Sequence, residues 1–255
     1  MPTIDPSAPT EVPAAAGAAE VPSAPRPGLS AGKVAALVAA VAFLAGAIAF
    51  VVGERSAADE PLSATDVGFM QDMGYHHDQA TQLSLILLDK PDVDRSLKSF
   101  AQEIIIGQRF EQGIFTALLD RYGYPTEAGD EVMGWMGEPI AIEDMPGMAT
   151  DEQMAALQEA EGEEAEALWI ALMSEHHLAG LHMADHQARY GSDETTVNLA
   201  EAIVKGQRSE IVDLDRWRRS NELPIPEGFD DPMEDQRLDP MSFRDGAGST
   251  TTTGG

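Results

Sequence analysis

The segment AQEIIIGQRFE at 101–111 returns as AEAIVKGQRSE at 200–210, an offset of 99 residues. Histidine repeats with it: MGYHH sets His76 and His77 after Met73, and MSEHH sets His176 and His177 after Met173. Two motifs recurring in the same order at nearly one offset demand a chain built from two copies of one unit. Each copy reads as a helix carrying M-x-x-H-H, a short turn, and a second helix carrying I-x-x-G-Q-R-x-E. Such a unit is a helical hairpin that cannot bury its apolar face alone, so the two copies must pack together.

Turn and cap signals set the helix ends. The first helix is expected from near Thr65 or Asp66 to just before Pro91, and the second from about Val93 to Tyr122. The third follows Thr150, which forms a capping-box pattern with Gln153, breaks near Gly162 and resumes to about Tyr190. The fourth starts after Asp193 and ends before Pro224. No stretch alternates with period two, so no sheet is expected. The fold class is therefore all-α, a four-helix bundle of two duplicated hairpins. The 123–150 connection either runs along the bundle in ferritin-like fashion or closes an up-down-up-down arrangement.

The hairpins occupy only part of the chain. Residues 1–33 are rich in Ala, Pro and Ser and too poor in large apolar groups to bury a core. Residues 34–53 carry no charge, and 20 residues match the roughly 30 Å of a bilayer core, so they are expected to anchor the chain as a transmembrane helix. Arg26 and Lys33 precede the span, which predicts a cytoplasmic N-terminus and an extracytoplasmic folded domain at the cell membrane. The alternative is a signal peptide cleaved near residues 56–58, giving a secreted protein. Residues 62–222 hold the duplicated bundle, and 223–255 read as a solvated, disordered tail rich in Pro and Asp.

Net charge is −28, with 16 Lys and Arg against 44 Asp and Glu, which speaks against a nucleic-acid partner and for cations. Cysteine is absent, which excludes disulfides, thiolate catalysis, zinc-thiolate sites and a lipid-modified cysteine.

All six histidines fall in or near the doublets. At about 100° per residue, Met173, His176, His177, Gly180 and Met183 share one core-facing stripe roughly 120° wide, and Met73, His76, His77, Ala80 and Leu83 share its counterpart. A lone methionine or histidine on such a stripe is ordinary core. Four imidazoles and three thioethers in symmetric positions point instead to a metal site, because burying unsatisfied imidazoles is costly. Imidazole with thioether favours copper, Cu(I) especially, over iron or manganese. A di-iron bundle would carry E-x-x-H, and both halves here carry M-x-x-H. Glu111 and Glu210, one turn beyond Gln108 and Gln207, either ligate, orient the imidazoles or pair with surface arginines. The connecting loop adds Met133, Met136, Met145, Met148 and Met154, read as thioether ligands or as apolar caps on the bundle end. His182 and His186 lie on roughly the opposite face, a secondary chelating pair or a solvated one; Met145 and Met148 are grouped with them as a secondary site.

These residues resemble the bacterial domain-of-unknown-function 305 family: M-x-x-H-H twice with a following A-x-x-M/L, an M-P-G-M linker, and Gln-x-x-Glu on the second helices, over residues 62–222. The resemblance implies a ferritin-like bundle, an extracytoplasmic location and, for some members, copper binding and resistance. It also implies Met73, Met173, Met183, His76, His77, His176 and His177 as the inward metal-facing set. Leu83 departs from the pattern, standing where Met183 stands in the second half.

Three functions compete. The first is an anchored copper protein that sequesters the ion or hands it on. The second is a ferritin-like di-metal oxidase or peroxidase using iron or manganese; no nucleophile with a base and orienting acid is recognisable. The third is a metal-free interaction module with a buried histidine layer. Homo-oligomerisation and a protein partner are left open.

Overall fold

The computed structural model describes residues 61–239. The expected membrane span and the 1–33 segment lie outside the described residues, and no helix among those described is long and apolar enough to cross a membrane.

Five α-helices form among the described residues: α1 (Ala64–Asp89), α2 (Arg95–Tyr122), α3 (Asp151–Glu159), α4 (Gly162–Tyr190) and α5 (Glu194–Ser220). Their ends follow local chemistry. Ser63 and Asp66 close a reciprocal capping box at the head of α1, as Thr150 and Gln153 do for α3. Lys90, held in extended geometry before Pro91, stops α1. Asp94 and Asp193 cap α2 and α5 through backbone amides at 2.7 and 2.8 Å. Gly123 ends α2 at φ +76°, a left-handed geometry that favours glycine.

α1 pairs with α2 and α4 with α5, and the two hairpins meet chiefly along α1 and α4. The core divides into two apolar clusters. One joins the start of α1 (Phe69, Met70, Met73) to the end of α4 (Leu181, Met183, Ala184), and the other joins the end of α1 (Leu83, Leu87) to the start of α4 (Trp169, Ile170, Met173). α1 and α4 are therefore antiparallel, and the duplicated units are related by a twofold-like axis passing between the histidine doublets.

That orientation makes the linker travel the bundle's length, which an up-down-up-down arrangement would not require. Its path is pinned along α1: Gln71 donates to the Pro125 carbonyl (2.8 Å), Gln79 exchanges hydrogen bonds with Ala149 (2.6 and 2.8 Å), and Lys90 reaches the Ala160 carbonyl (2.6 Å). Gly147, at φ +76°, lies so close to α4 that a Cβ would meet the Glu175 carbonyl oxygen at 2.8 Å.

Two expectations are corrected. The linker holds a two-residue antiparallel ladder, β1 (Glu131–Val132) with β2 (Ile140–Ala141), where no sheet was expected. So short a pairing has no alternating pattern to read, and follows from the linker folding back on itself. The chain from 223 to 239, expected to be part of a solvated tail, packs on the bundle: Leu223, Pro232 and Leu238 are buried, and Arg237 pairs with Glu175 on α4. Its few apolar residues fill gaps that the hairpins leave, which tail composition alone does not reveal.

Candidate metal centre

All four doublet histidines are fully buried. His76 and His176 stack across the α1–α4 contact with ring centroids 3.6 Å apart and planes 28° apart. His176 Nε2 donates to the His76 carbonyl at 2.8 Å. His177 lies 6.1 Å from the His176 ring. The two outer imidazoles are held by the second helices of their own hairpins: His77 Nε2 donates to Glu111 at 2.7 Å, and His177 Nε2 donates to Glu210 at 2.6 Å.

These partners assign the remaining nitrogens. With Nε2 carrying the proton in His77, His176 and His177, each Nδ1 keeps a buried lone pair, and none of the three has a hydrogen-bond partner. In His76 both ring nitrogens are unpartnered. Buried polar atoms are nearly always satisfied, so five orphaned imidazole nitrogens in one layer call for an explanation.

Burial, reinforced by the neighbouring imidazoles, holds His76 and His176 well below the ordinary histidine range, so both are neutral and able to donate a lone pair near pH 7. For Glu210, burial pushes upward, but the hydrogen bond from His177 and electrostatic attraction to the His177 and His77 rings outweigh it and keep the carboxyl below its usual value. A carboxylate fixing the Nε2 proton leaves Nδ1 as the coordinating atom and raises its basicity, the arrangement found behind metal-bound histidines.

The thioethers are unevenly shared. Met73 and Met183 belong to one apolar cluster together with Met70, Met133 and Met145, with Met136 and Met148 packed against it. Met173 lies in the other cluster beside Leu83, with Met154 at its edge. One side of the histidine layer is thus rich in sulfur and the other has a leucine at the equivalent place. Among the described residues no group of three or more His, Cys, Asp or Glu stands ready to hold a metal ion. The potential donors buried in this part of the bundle are imidazoles and thioethers, residue types that fit a soft ion and not a carboxylate cage.

The residues matched by the domain-of-unknown-function model DUF305 run from 66 to 218, most of the duplicated unit and more than half of the chain. The chain belongs to the DUF305 family. Solved relatives agree. A DUF305 protein from Streptomyces coelicolor is 33% identical, covering 64% of this chain and 97% of that one, with a TM-score of 0.59. A DUF305 fragment from Deinococcus radiodurans is 29% identical, covering 63% and 99%, with a TM-score of 0.54. CopM in its Cu(I)-bound form is a more distant likeness at 23% identity, covering 62% and 98%, with a TM-score of 0.49. No curated protein matches the chain significantly.

Within this DUF305 fold, the seven expected inward residues are all buried, but they do not form one cluster, because Met173 sits apart from Met73 and Met183. Glu111 and Glu210 bond to imidazoles and not to surface arginines. His182 is exposed on α4, whereas His186 packs edge-on against Trp135 at 5.3 Å and beside Tyr190 at 4.6 Å. Met145 is buried in the sulfur-rich cluster and Met148 packs against it. Sequence reading missed Asp72, which is buried and accepts from the Met133 amide and the Trp135 indole, both at 2.7 Å, latching the linker to α1. Its signal was a carboxylate on the apolar stripe between Met70 and Met73.

Proposed function

We propose that this protein binds copper in the histidine layer and holds the ion or passes it to a partner outside the cytoplasm, tethered by the apolar span at 34–53. The observation that carries the reading is the set of buried, unpartnered nitrogens on His76, His77, His176 and His177, with the buried Met73 and Met173 one helical turn before the two doublets. Leaving such atoms without partners costs on the order of 1–3 kcal/mol each, so a folded chain that keeps them open gains by offering them to an ion. Imidazole and thioether together suit Cu(I) and tolerate Cu(II). The bundle is read as ferritin-like in connectivity but not in its donors. A di-iron or manganese oxidase would need Glu111 and Glu210 on the metal, and both carboxylates are engaged by imidazole Nε2 atoms. An extracytoplasmic site accords with the Streptomyces coelicolor relative, described as a candidate secreted protein.

Titration of the full-length chain with Cu(I) and Cu(II) against a chelator tests this reading. The comparison variant replaces all four doublet histidines by phenylalanine, which preserves ring volume and removes the lone pairs. The expected result is a loss of copper affinity of a hundredfold or more with helical content retained. Unchanged affinity in a folded variant overturns the assignment.

A further inference from the structure

The second repeated motif, I-x-x-G-Q-R-x-E, has no role in the copper site beyond its glutamates. Its two copies nevertheless face each other between α2 and α5 and line a cavity of about 40 Å³. Gly107, Gln108 and Glu111 come from one hairpin, and Gly206, Gln207 and Glu210 from the other. The cavity holds about one water molecule or one small ion.

Gln108 and Gln207 are each 4% exposed, and neither the oxygen nor the nitrogen of either amide has a hydrogen-bond partner. Buried amides with all their polar atoms open, on the wall of a cavity, are built for a polar guest. Glu111 and Glu210 stand at the same cavity with side chains 20% and 33% exposed, while the imidazoles they hold are 0% exposed. The carboxylates therefore touch water on one side and the histidine layer on the other.

The glycines supply an independent argument. Gly107 and Gly206 lie in mid-helix, where glycine weakens the helix relative to other residues. A Cβ at either would meet no atom within 4 Å, so close packing does not explain them. Both are exposed, at the mouth of the cavity, and what they preserve is the opening. The arginines that follow are turned to other partners: Arg109 binds Asp78 at 2.9 Å and Arg208 binds the Asp239 carbonyl at 3.3 Å, so neither closes the mouth through those contacts. On the opposite side of the layer, the linker at Gly147 presses against α4 beside His176.

We infer that the paired G-Q-x-x-E motifs form an oxygen-lined entry port, in which a divalent cation that sheds its water shell at the mouth is captured by the Gln108 and Gln207 amide oxygens and the Glu111 and Glu210 carboxylates before reaching the imidazoles. The inference rests on the copper reading and specifies how the ion arrives. Hard oxygen donors exchange water readily and bind cations weakly, which suits a site of passage; the nitrogen and sulfur donors behind it suit retention.

The test blocks the mouth without touching a donor. In the full chain, Gly107→Leu with Gly206→Leu puts a good helix former over the opening at both positions. Stopped-flow mixing with aqueous Cu(II), read by imidazole-to-copper absorption, gives the loading rate, and equilibrium titration gives affinity separately. The expected outcome is loading slowed at least tenfold, with equilibrium affinity within about twofold of the parent and thermal stability equal or higher. Should the double leucine variant lose its fold, Gln108→Leu with Gln207→Leu removes the amide donors from the wall and is expected to slow loading by a similar factor. Unchanged loading in folded variants that still bind copper overturns the port while leaving the copper reading intact. Slowing by His182→Ala alone also overturns it, placing entry at the separate cavity beside Met133 and Met183. If the parent chain binds Cu(I) but no Cu(II) at equilibrium, the port falls and the copper reading stands; if it binds neither, both fall.

Discussion

Two buried polar centres of this bundle, the Asp66 carboxylate and the histidine layer, are finished in opposite ways. At the head of α1, Asp66 is fully buried and accepts hydrogen bonds from Ser63, Gln187, Ser192, Asp193 and Thr196, at 2.6–3.3 Å. Those partners come from α1, from the end of α4 and from the head of α5, so one carboxylate stitches the hairpins together. The histidine layer, less than three turns along α1, joins the same hairpins but leaves five ring nitrogens unpartnered. A polar group kept for stability is satisfied by the protein; one kept for a ligand is left open at a cost. The Asp66 carboxylate is saturated by the protein, although the Gln187 Oε1 beside it stays open, whereas the imidazole layer keeps five nitrogens without a protein partner.

Breaking the satisfied cluster should give the largest effect. Asp66→Ala strands several buried donors and is expected to lower unfolding free energy by about 3–5 kcal/mol, measured by urea denaturation. Copper affinity of the fraction that remains folded should stay within about threefold. A comparable loss of affinity would mean that the two clusters are one cooperative unit.

Acid should then take the clusters apart in order. Burial and neighbouring imidazoles hold His76 and His176 below the histidine range, so the unfolded chain binds protons first, near pH 6.5. Stability of the metal-free protein therefore falls as pH drops below about 6.5, by up to about 1.4 kcal/mol per pH unit for each of the two. For Asp66 burial pushes upward, but its hydrogen bonds from Ser63, Ser192, Gln187 and Thr196 prevail and hold the carboxyl far below its ordinary value. Its contribution is full above about pH 4 and is lost only as pH falls below that. Denaturation curves at pH 7, 5.5 and 4 should show the first decline in the parent and not in the four-phenylalanine variant. A parent curve flat from pH 7 to 5.5 would contradict the buried, neutral state of the layer.

What could be read in advance divides along the same physical line. The repeat, the doublets and the helix ends depend on residues close in sequence, so Thr150, Gly123 and Pro91 mark their positions openly, while the first helix begins at Ala64 after the Ser63 cap, just ahead of the expected Thr65 or Asp66. The direction of the linker was left between two arrangements, because it depends on which ends of α1 and α4 share a cluster. The roles of Glu111 and Glu210 were equally undecided, since a glutamate beside an arginine has the same local pattern whether it faces solvent or an imidazole. Asp66 went unnoticed as a hub because its partners Gln187 and Thr196 lie 121 and 130 residues away. The stacking of His76 on His176, and with it the identity of the open nitrogens, is fixed by packing across the pseudo-twofold and has no signature along the chain.

The smallest change tests the asymmetry within the layer itself. Met73 and Met183 share one cluster, while Met173 and Leu83 belong to the other. Leu83→Met restores the repeat's symmetry with little change of volume and should alter stability by less than about 1.5 kcal/mol. It is expected to raise Cu(I) stoichiometry toward a second ion per chain, because it gives the Met173 side the pair of thioethers that the other side already has. In the parent background, Met183→Leu should weaken Cu(I) binding about tenfold or more and Met173→Leu by less, read by competition with a Cu(I) chelator. Equal losses from the two leucine variants, with no second ion in Leu83→Met, would mean that sulfur does not direct the ion to one side and that the imidazoles alone hold it.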